Sequence, residues 1–82
     1  RPSYIGTTAI TIAWEDTGAD EYSIEISSNQ GVTWSIVSPL TVTNYTFSTL
    51  NAATEYYFKV TTTCNLVEST SATIAVTTLG LT

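Results

Sequence analysis

Few residues in this chain can do chemistry, and the types that are missing are as telling as those present. Seven carboxylates stand against Lys59 and Arg1, there is no His, and Cys64 is the single cysteine. Four of the carboxylates, Glu15, Asp16, Asp20 and Glu21, share one short stretch with Thr17 and Gly18. Calcium needs about 6–8 hard oxygens and its common loops space them by rule. No such spacing is present here, so a solvated loop without metal is expected. Carboxylates paired for glycoside hydrolysis need a cleft that raises the pKa of one of them. A domain this small with a filled core is expected to offer none. A thiol nucleophile needs a base to form thiolate, and without His thiol catalysis is excluded. Cys64 is read as a small buried hydrophobe, with a bond to a cysteine outside the chain left open. No catalytic, metal or cofactor-binding residue is assigned, no cofactor is expected, and the chain is read as non-enzymatic.

Two side chains remain as ligand candidates. Trp34 and Tyr57, if both point outward, form an aromatic platform of the kind sugar rings stack on. Outward aromatics on strands more often support cross-strand packing. Asn44-Tyr45-Thr46 forms a glycosylation sequon, meaningful only in a eukaryotic secretory pathway. The net charge of −5 argues against nucleic acid, whose phosphates are neutralised by Lys and Arg, and against an anionic membrane surface. No apolar run approaches the roughly 20 residues of a spanning helix, so membrane insertion is not expected.

The elements that must carry these residues are strands. The chain has 82 residues, enough for one domain with one core. Eighteen Thr and nine Ser supply a neutral polar surface where charged residues are only 11%, and Thr, Val, Ile, Tyr and Trp favour pleated, half-buried positions. Period-two alternation marks Thr8–Trp14 (Ile10, Ile12, Trp14), Tyr22–Ser27 (Tyr22, Ile24, Ile26) and Glu55–Cys64 (Tyr56, Phe58, Val60, Thr62, Cys64). A strand from Val32 to Val37 closes a hairpin on the turn residues Asn29-Gln30-Gly31 and is expected to stop at Pro39. Asn44–Leu50 and Ser71–Thr78 complete the set, the latter with Ala72, Ile74 and Val76 inward. Asn65–Ser69 is read as a loop exposing Leu66 and Val67. Six or seven short strands at this spacing predict an all-β sandwich. The expected core is Ile10, Ile12, Trp14, Tyr22, Ile24, Ile26, Ile36, Phe47, Leu50, Tyr56, Phe58, Val60, Ile74 and Val76.

Two features carry a family resemblance. Leu50-x-Ala52-x-Thr54-x-Tyr56-x-Phe58-x-Val60 has the spacing of a tyrosine corner, and Trp14 ends an early strand before the acidic loop. Over Thr7 to Thr78 the chain resembles the fibronectin type III family, an immunoglobulin-like two-sheet sandwich of about seven antiparallel strands. The resemblance makes Trp14 the strand B tryptophan, Leu50 the corner leucine and Tyr56 the corner tyrosine, all three structural. Ala52 stands where the family usually has proline. An immunoglobulin domain would need cysteines where this chain has Phe58 and Ile12, and is rejected. Residues 1–6 are expected to be a remnant of strand A, hence abbreviated, or a linker, and residues 79–82 a C-terminal linker. Ser27-x-Asn29-x-Gly31-x-Thr33-Trp34 also resembles an Asp-box, a hairpin motif of bacterial glycosidases and their neighbours, with Asn29 replacing the usual Asp.

The resemblance implies a non-catalytic spacer or interaction module of a larger extracellular or cell-surface protein. A bacterial secreted carbohydrate-active enzyme or surface protein is the expected parent, and opening on Arg1 rather than Met fits a piece of a longer chain. Its partners would be neighbouring domains of the same chain, with a protein or polysaccharide beyond them. The alternative is an adhesion or carbohydrate-binding module using loops or outward aromatics. The loop Asn65–Ser69 carries no Arg-Gly-Asp triplet, so integrin-type adhesion lacks its usual basis.

Overall fold

The computed structural model describes residues 1–80, and the expected linker 79–82 therefore falls partly outside the described residues. Eight strands and no helix occur among them: β1 (Pro2–Ile5), β2 (Ile10–Ala13), β3 (Glu21–Ser27), β4 (Ser35–Leu40), β5 (Asn44–Phe47), β6 (Glu55–Cys64), β7 (Val67–Thr70) and β8 (Ile74–Thr77). They form two antiparallel sheets. One has three strands in the order β1-β2-β5; the other runs β4-β3-β6-β7, with β8 also pairing β6. Residues 1–6 are thus mostly strand: β1 is a four-residue strand A against β2, irregular between Pro2 and Tyr4.

Alternation puts one face of each sheet into the space between them. Ile10 and Ile12 of β2 form one buried cluster with Ile24 of β3, Tyr56, Phe58 and Val60 of β6, and Val76 of β8, and Tyr22 of β3 is also buried. Full burial of a side chain such as Phe58 contributes about 1.5–3 kcal/mol. Trp14, Ile26, Phe47, Leu50 and Ile74 are half-buried against this cluster, joined by Val37, Leu40 and Tyr45. Phe47 bridges the sheets, its ring 5.5 Å from that of Phe58.

Several expectations are corrected. Ile36 is not core but 60% exposed, because β4 starts later than expected and takes the opposite phase. Val37 pairs Ile24, while Leu40 pairs Tyr22. Three steps on β4 thus oppose two on β3, and this bulge turns both Val37 and Leu40 inward. Pro39 lies inside the strand rather than ending it, which β4 tolerates as an edge.

The last strand is not continuous, which is why there are eight strands rather than seven. Thr61 pairs Thr70 and Phe58 pairs Ile74, so four steps on the outer chain oppose three on β6. At the offset, the Val60 N–H donates to Ser71 Oγ at 2.9 Å and the Ser71 N–H to Val60 O at 2.7 Å. Ala72 is consequently exposed rather than inward, and Val67–Thr70, read as loop, is strand.

Cys64 is exposed. It has the inward parity of β6, but the strand runs beyond the core to a tight turn in which Asn65 and Leu66 have φ of 50° and 67°. Parity gives direction, and depth depends on what lies opposite.

Candidate functional site

The candidate residues lie at two ends and on one outer face of the domain. At one end lie Arg1, the acidic loop and the β6–β7 turn. The Arg1 amino group donates to Ala13 O at 2.8 Å. Asp20 Oδ2 accepts the Asn65 N–H at 2.9 Å and so ties the acidic loop to that turn. Asp16 Oδ1 accepts the Gly18 N–H at 2.9 Å and the Tyr22 hydroxyl at 3.1 Å, and Tyr22 Oη accepts the Thr17 N–H at 3.1 Å. The Gly18 amide first, then the Tyr22 hydroxyl, hold the Asp16 carboxyl below its ordinary value of 3.8, against a smaller opposing effect of burial. These carboxylates organise the loop. Among the described residues no three His, Cys, Asp or Glu converge as a metal would need.

The opposite end is closed by the corner. Tyr56 is buried and its hydroxyl accepts the Asn51 N–H at 2.9 Å. Asn51 O in turn accepts the Thr78 hydroxyl at 2.6 Å, and Thr78 Oγ1 accepts the Thr54 N–H at 2.9 Å. Leu50 packs on the core, its N–H donating to Thr8 O at 2.9 Å. Ala52 stands before Ala53, whose φ of 51° makes the turn. Leu79 leaves beside this lock, donating its N–H to Gly6 O and accepting that of Ala53.

Next to the corner, the Asp-box-like hairpin is fully bonded. Buried Ser27 Oγ accepts the Gly31 N–H at 2.8 Å and donates to Asn29 Oδ1 at 2.8 Å. Asn29 Oδ1 also accepts the Thr33 N–H at 3.0 Å, while Nδ2 donates to Thr33 Oγ1 at 2.7 Å. Trp34 folds back, its Nε1 donating to Gly31 O at 3.1 Å. A β-carbon on Gly31 would lie 3.5 Å from the Trp34 ring and 3.8 Å from that of Tyr57, so both aromatics flank this glycine. Lys59 Nζ sits 4.4 Å from the Trp34 ring centroid and 4.0 Å from Glu25 Oε2. Both Trp34 and Tyr57 are half-buried. The structure brings these two residues together, but one face of the indole carries an ammonium, a cation–π contact.

Trp14, expected fully buried, is half-buried with its ring 5.8 Å from that of Tyr22. Its Nε1 is buried without a hydrogen-bond partner. It lies between two adjoining grooves of about 260 and 270 Å³ that share Trp14, Val60 and Ser71. A cleft therefore exists where none was expected, because the side of the sandwich between β2 and the broken β7–β8 strand is not covered. Among the described residues the charged ones lining the grooves are Glu15, Lys59 and Arg1. No nucleophile–base pair meets there.

The fibronectin type III domain family model matches residues 3–77. The chain belongs to the fibronectin type III family. Solved structures agree on the fold. A human fibronectin type III domain from the KIAA0970 protein superposes with a TM-score of 0.78 at 23% identity, over 98% of this chain and 70% of that one. A computationally redesigned β-sandwich protein gives 0.84 at 16% identity, over 100% and 87%. Domains A168–A170 of titin give 0.72 at 21% identity, over 95% of this chain and 30% of theirs. No curated protein is matched at a significant level.

Sequence reasoning missed Thr78 and the hydroxyl role of Tyr22, and placed Ser27 in the hairpin motif without assigning its hydroxyl a bond. Thr78 shares the inward parity of Ile74 and Val76, the signal by which it was findable.

Proposed function

We propose that this fibronectin type III domain is a non-catalytic spacer and interaction module of a larger extracellular protein, such as a bacterial secreted carbohydrate-active enzyme or surface protein. The observation that carries the proposal is that the two attachment points lie at opposite ends of β1, Arg1 bonded to Ala13 and Leu79 to Gly6, roughly 20 Å apart at the reach of five extended residues. Neighbours joined there are held apart by a packed sandwich whose exit strand is locked by Thr78. Fibronectin type III domains are typically modules of multidomain chains that space or join their neighbours. The neutral, hydroxyl-rich surface and the Asp-box-like hairpin support a secreted parent. The grooves lack the convergent polar groups and nucleophile–base pair that catalysis needs.

A second role, sugar binding on the outer face, is favoured by the meeting of Trp34 and Tyr57 around Gly31 and opposed by Lys59 over the indole. A glycan array, a calcium titration and a thermal-shift screen discriminate the two, since a true ligand raises the melting temperature by mass action. All three are expected to be flat. A glycan-induced rise that is lost in Trp34→Ala or Tyr57→Ala would replace the spacer with a carbohydrate-binding module, and a calcium-induced rise would assign the acidic loop a site.

A further inference from the structure

A two-sheet sandwich has open edges, and open edges invite strand pairing unless they are guarded. In the five-stranded sheet, β4 carries Pro39 and a bulge, while the β7–β8 edge carries Glu68 and the offset at Ser71. In the three-stranded sheet, β1 carries Pro2 and an irregular register and is preceded by the cationic side chain of Arg1. The remaining edge, β5 (Asn-Tyr-Thr-Phe), has no proline, bulge or charge.

Charge singles out the same place. All seven carboxylates lie outside β1, β2 and β5: Glu15, Asp16 and Asp20 in the acidic loop, with Glu21, Glu25, Glu55 and Glu68 on the other sheet. For a chain of net charge −5, this is the sheet where two copies meet without carboxylates facing each other.

The backbone is in the right phase. The Trp14 N–H donates to Thr43 O at 2.9 Å, in register with the β2–β5 pairs. Hydrogen-bonded pairs alternate along an antiparallel ladder. Ile12–Tyr45 and Ile10–Phe47 are therefore the bonded pairs, and the main-chain groups of Asn44 and Thr46 face away from β2. The close contact of the Thr11 and Thr46 hydroxyls at 2.8 Å fits a non-bonded pair.

We propose that the β5 edge is a homotypic docking edge, where two copies of the chain pair antiparallel about Thr46 and join two three-stranded sheets into one of six. In that register Thr46 exchanges main-chain bonds with Thr46 of the second copy, and Asn44 faces Ser48 of the second copy. Half-buried Tyr45 and Phe47, whose rings meet edge-on at 4.9 Å, each face the other's counterpart, an aromatic cross-strand pair that stabilises sheets. The segment is self-complementary and uncharged. A four-residue strand buries less than the roughly 1,000 Å² of a stable interface, so Kd is expected on the order of 1 mM. Such an edge acts where many copies are tethered together.

The test is sedimentation equilibrium and amide NMR of the chain up to about 2 mM, bracketing the affinity of so small an interface. A concentration-dependent dimer is expected, with shifts confined to residues 43–49. Thr46→Pro removes an N–H that faces away from β2, and should raise Kd at least about tenfold with little change in the urea midpoint. Thr46→Lys keeps that N–H and adds a guarding charge; it should act alike, and decides the matter if the proline variant does not fold. A chain monomeric throughout, a dimer indifferent to Thr46→Lys, or shifts on β1 or β7 instead would overturn the proposal.

Discussion

Replacing Thr78 with Val tests whether one buried hydroxyl locks the exit strand to the corner. The residue is 3% exposed, and valine fills its shape. The hydroxyl donates to Asn51 O at 2.6 Å, with a longer contact to Thr54 O at 3.3 Å, and accepts the Thr54 N–H at 2.9 Å. Thr54 O keeps the Thr78 N–H at 3.0 Å, so the variant orphans two groups, Thr54 N–H and Asn51 O. A buried backbone group without a partner costs about 1–3 kcal/mol. Asn51 is exposed and Thr54 half-buried, which puts both near the low end, about 2–3 kcal/mol together. That is roughly a third of the stability usual for a domain this size, and a melting temperature lower by about 10–20 °C. Urea unfolding followed by tryptophan fluorescence is the assay, with the slope unchanged. Thr78→Ser, which keeps the hydroxyl, should lose about 1 kcal/mol or less. A loss under about 0.5 kcal/mol in Thr78→Val, or equal losses in both variants, would show that the hydroxyl does not hold this end.

Tyr56→Phe removes the partner of the Asn51 N–H and should cost about 1 kcal/mol. Because Tyr56 and Thr78 both bind Asn51, the double variant with Thr78→Val should depart from additivity by at least about 0.5 kcal/mol. Ser27→Ala strands the Gly31 amide under the hairpin and should cost about 1–3 kcal/mol, with faster hydrogen exchange confined to residues 27–34. Asp16 has a folded pKa below its ordinary value, so its contribution is present at neutral pH and lost as pH falls through that lowered value. Asp16→Asn should therefore be less stable than the parent at about pH 7, by a small margin since the group is exposed, and equal to it near pH 2. A gap that widens on acidification would contradict the assignment.

The parts legible in the sequence were those governed by strict alternation between two packed sheets. Ile10 and Ile12, Tyr22 and Ile24, and Tyr56 and Phe58 read correctly because each keeps the alternation of its strand on a face that has the other sheet opposite. Ile36 misled because it pairs outward-facing Glu25, and the register that puts it on the outer face is set by the partner strand rather than by any local signal. Ala72 misled because Ser71 interrupts the outer strand with a side-chain hydrogen bond. Cys64 had the right parity but lies where β6 has outrun the core. The acidic loop, read as a solvated stretch, is tied by a local bond from Gly18 to Asp16 and by bonds from Tyr22 and Asn65 that follow no spacing rule. Hydroxyl residues were hardest: with eighteen Thr and nine Ser, composition does not distinguish buried Thr78 and Ser27 from the many exposed ones.

The central claim is that this domain holds its neighbours a fixed distance apart, and an end-to-end distance measurement tests it most directly. Spin labels at Arg1→Cys and Leu79→Cys, in a Cys64→Ser background permitted by the exposure of Cys64, report the separation by pulsed electron resonance. One narrow population is expected, centred on the order of 20 Å, because Leu79 is bonded to Gly6 and five residue steps lead from there to Arg1, unchanged when folded domains are fused at both ends. A broad distribution, or a separation that collapses when neighbours are attached, would contradict the spacer.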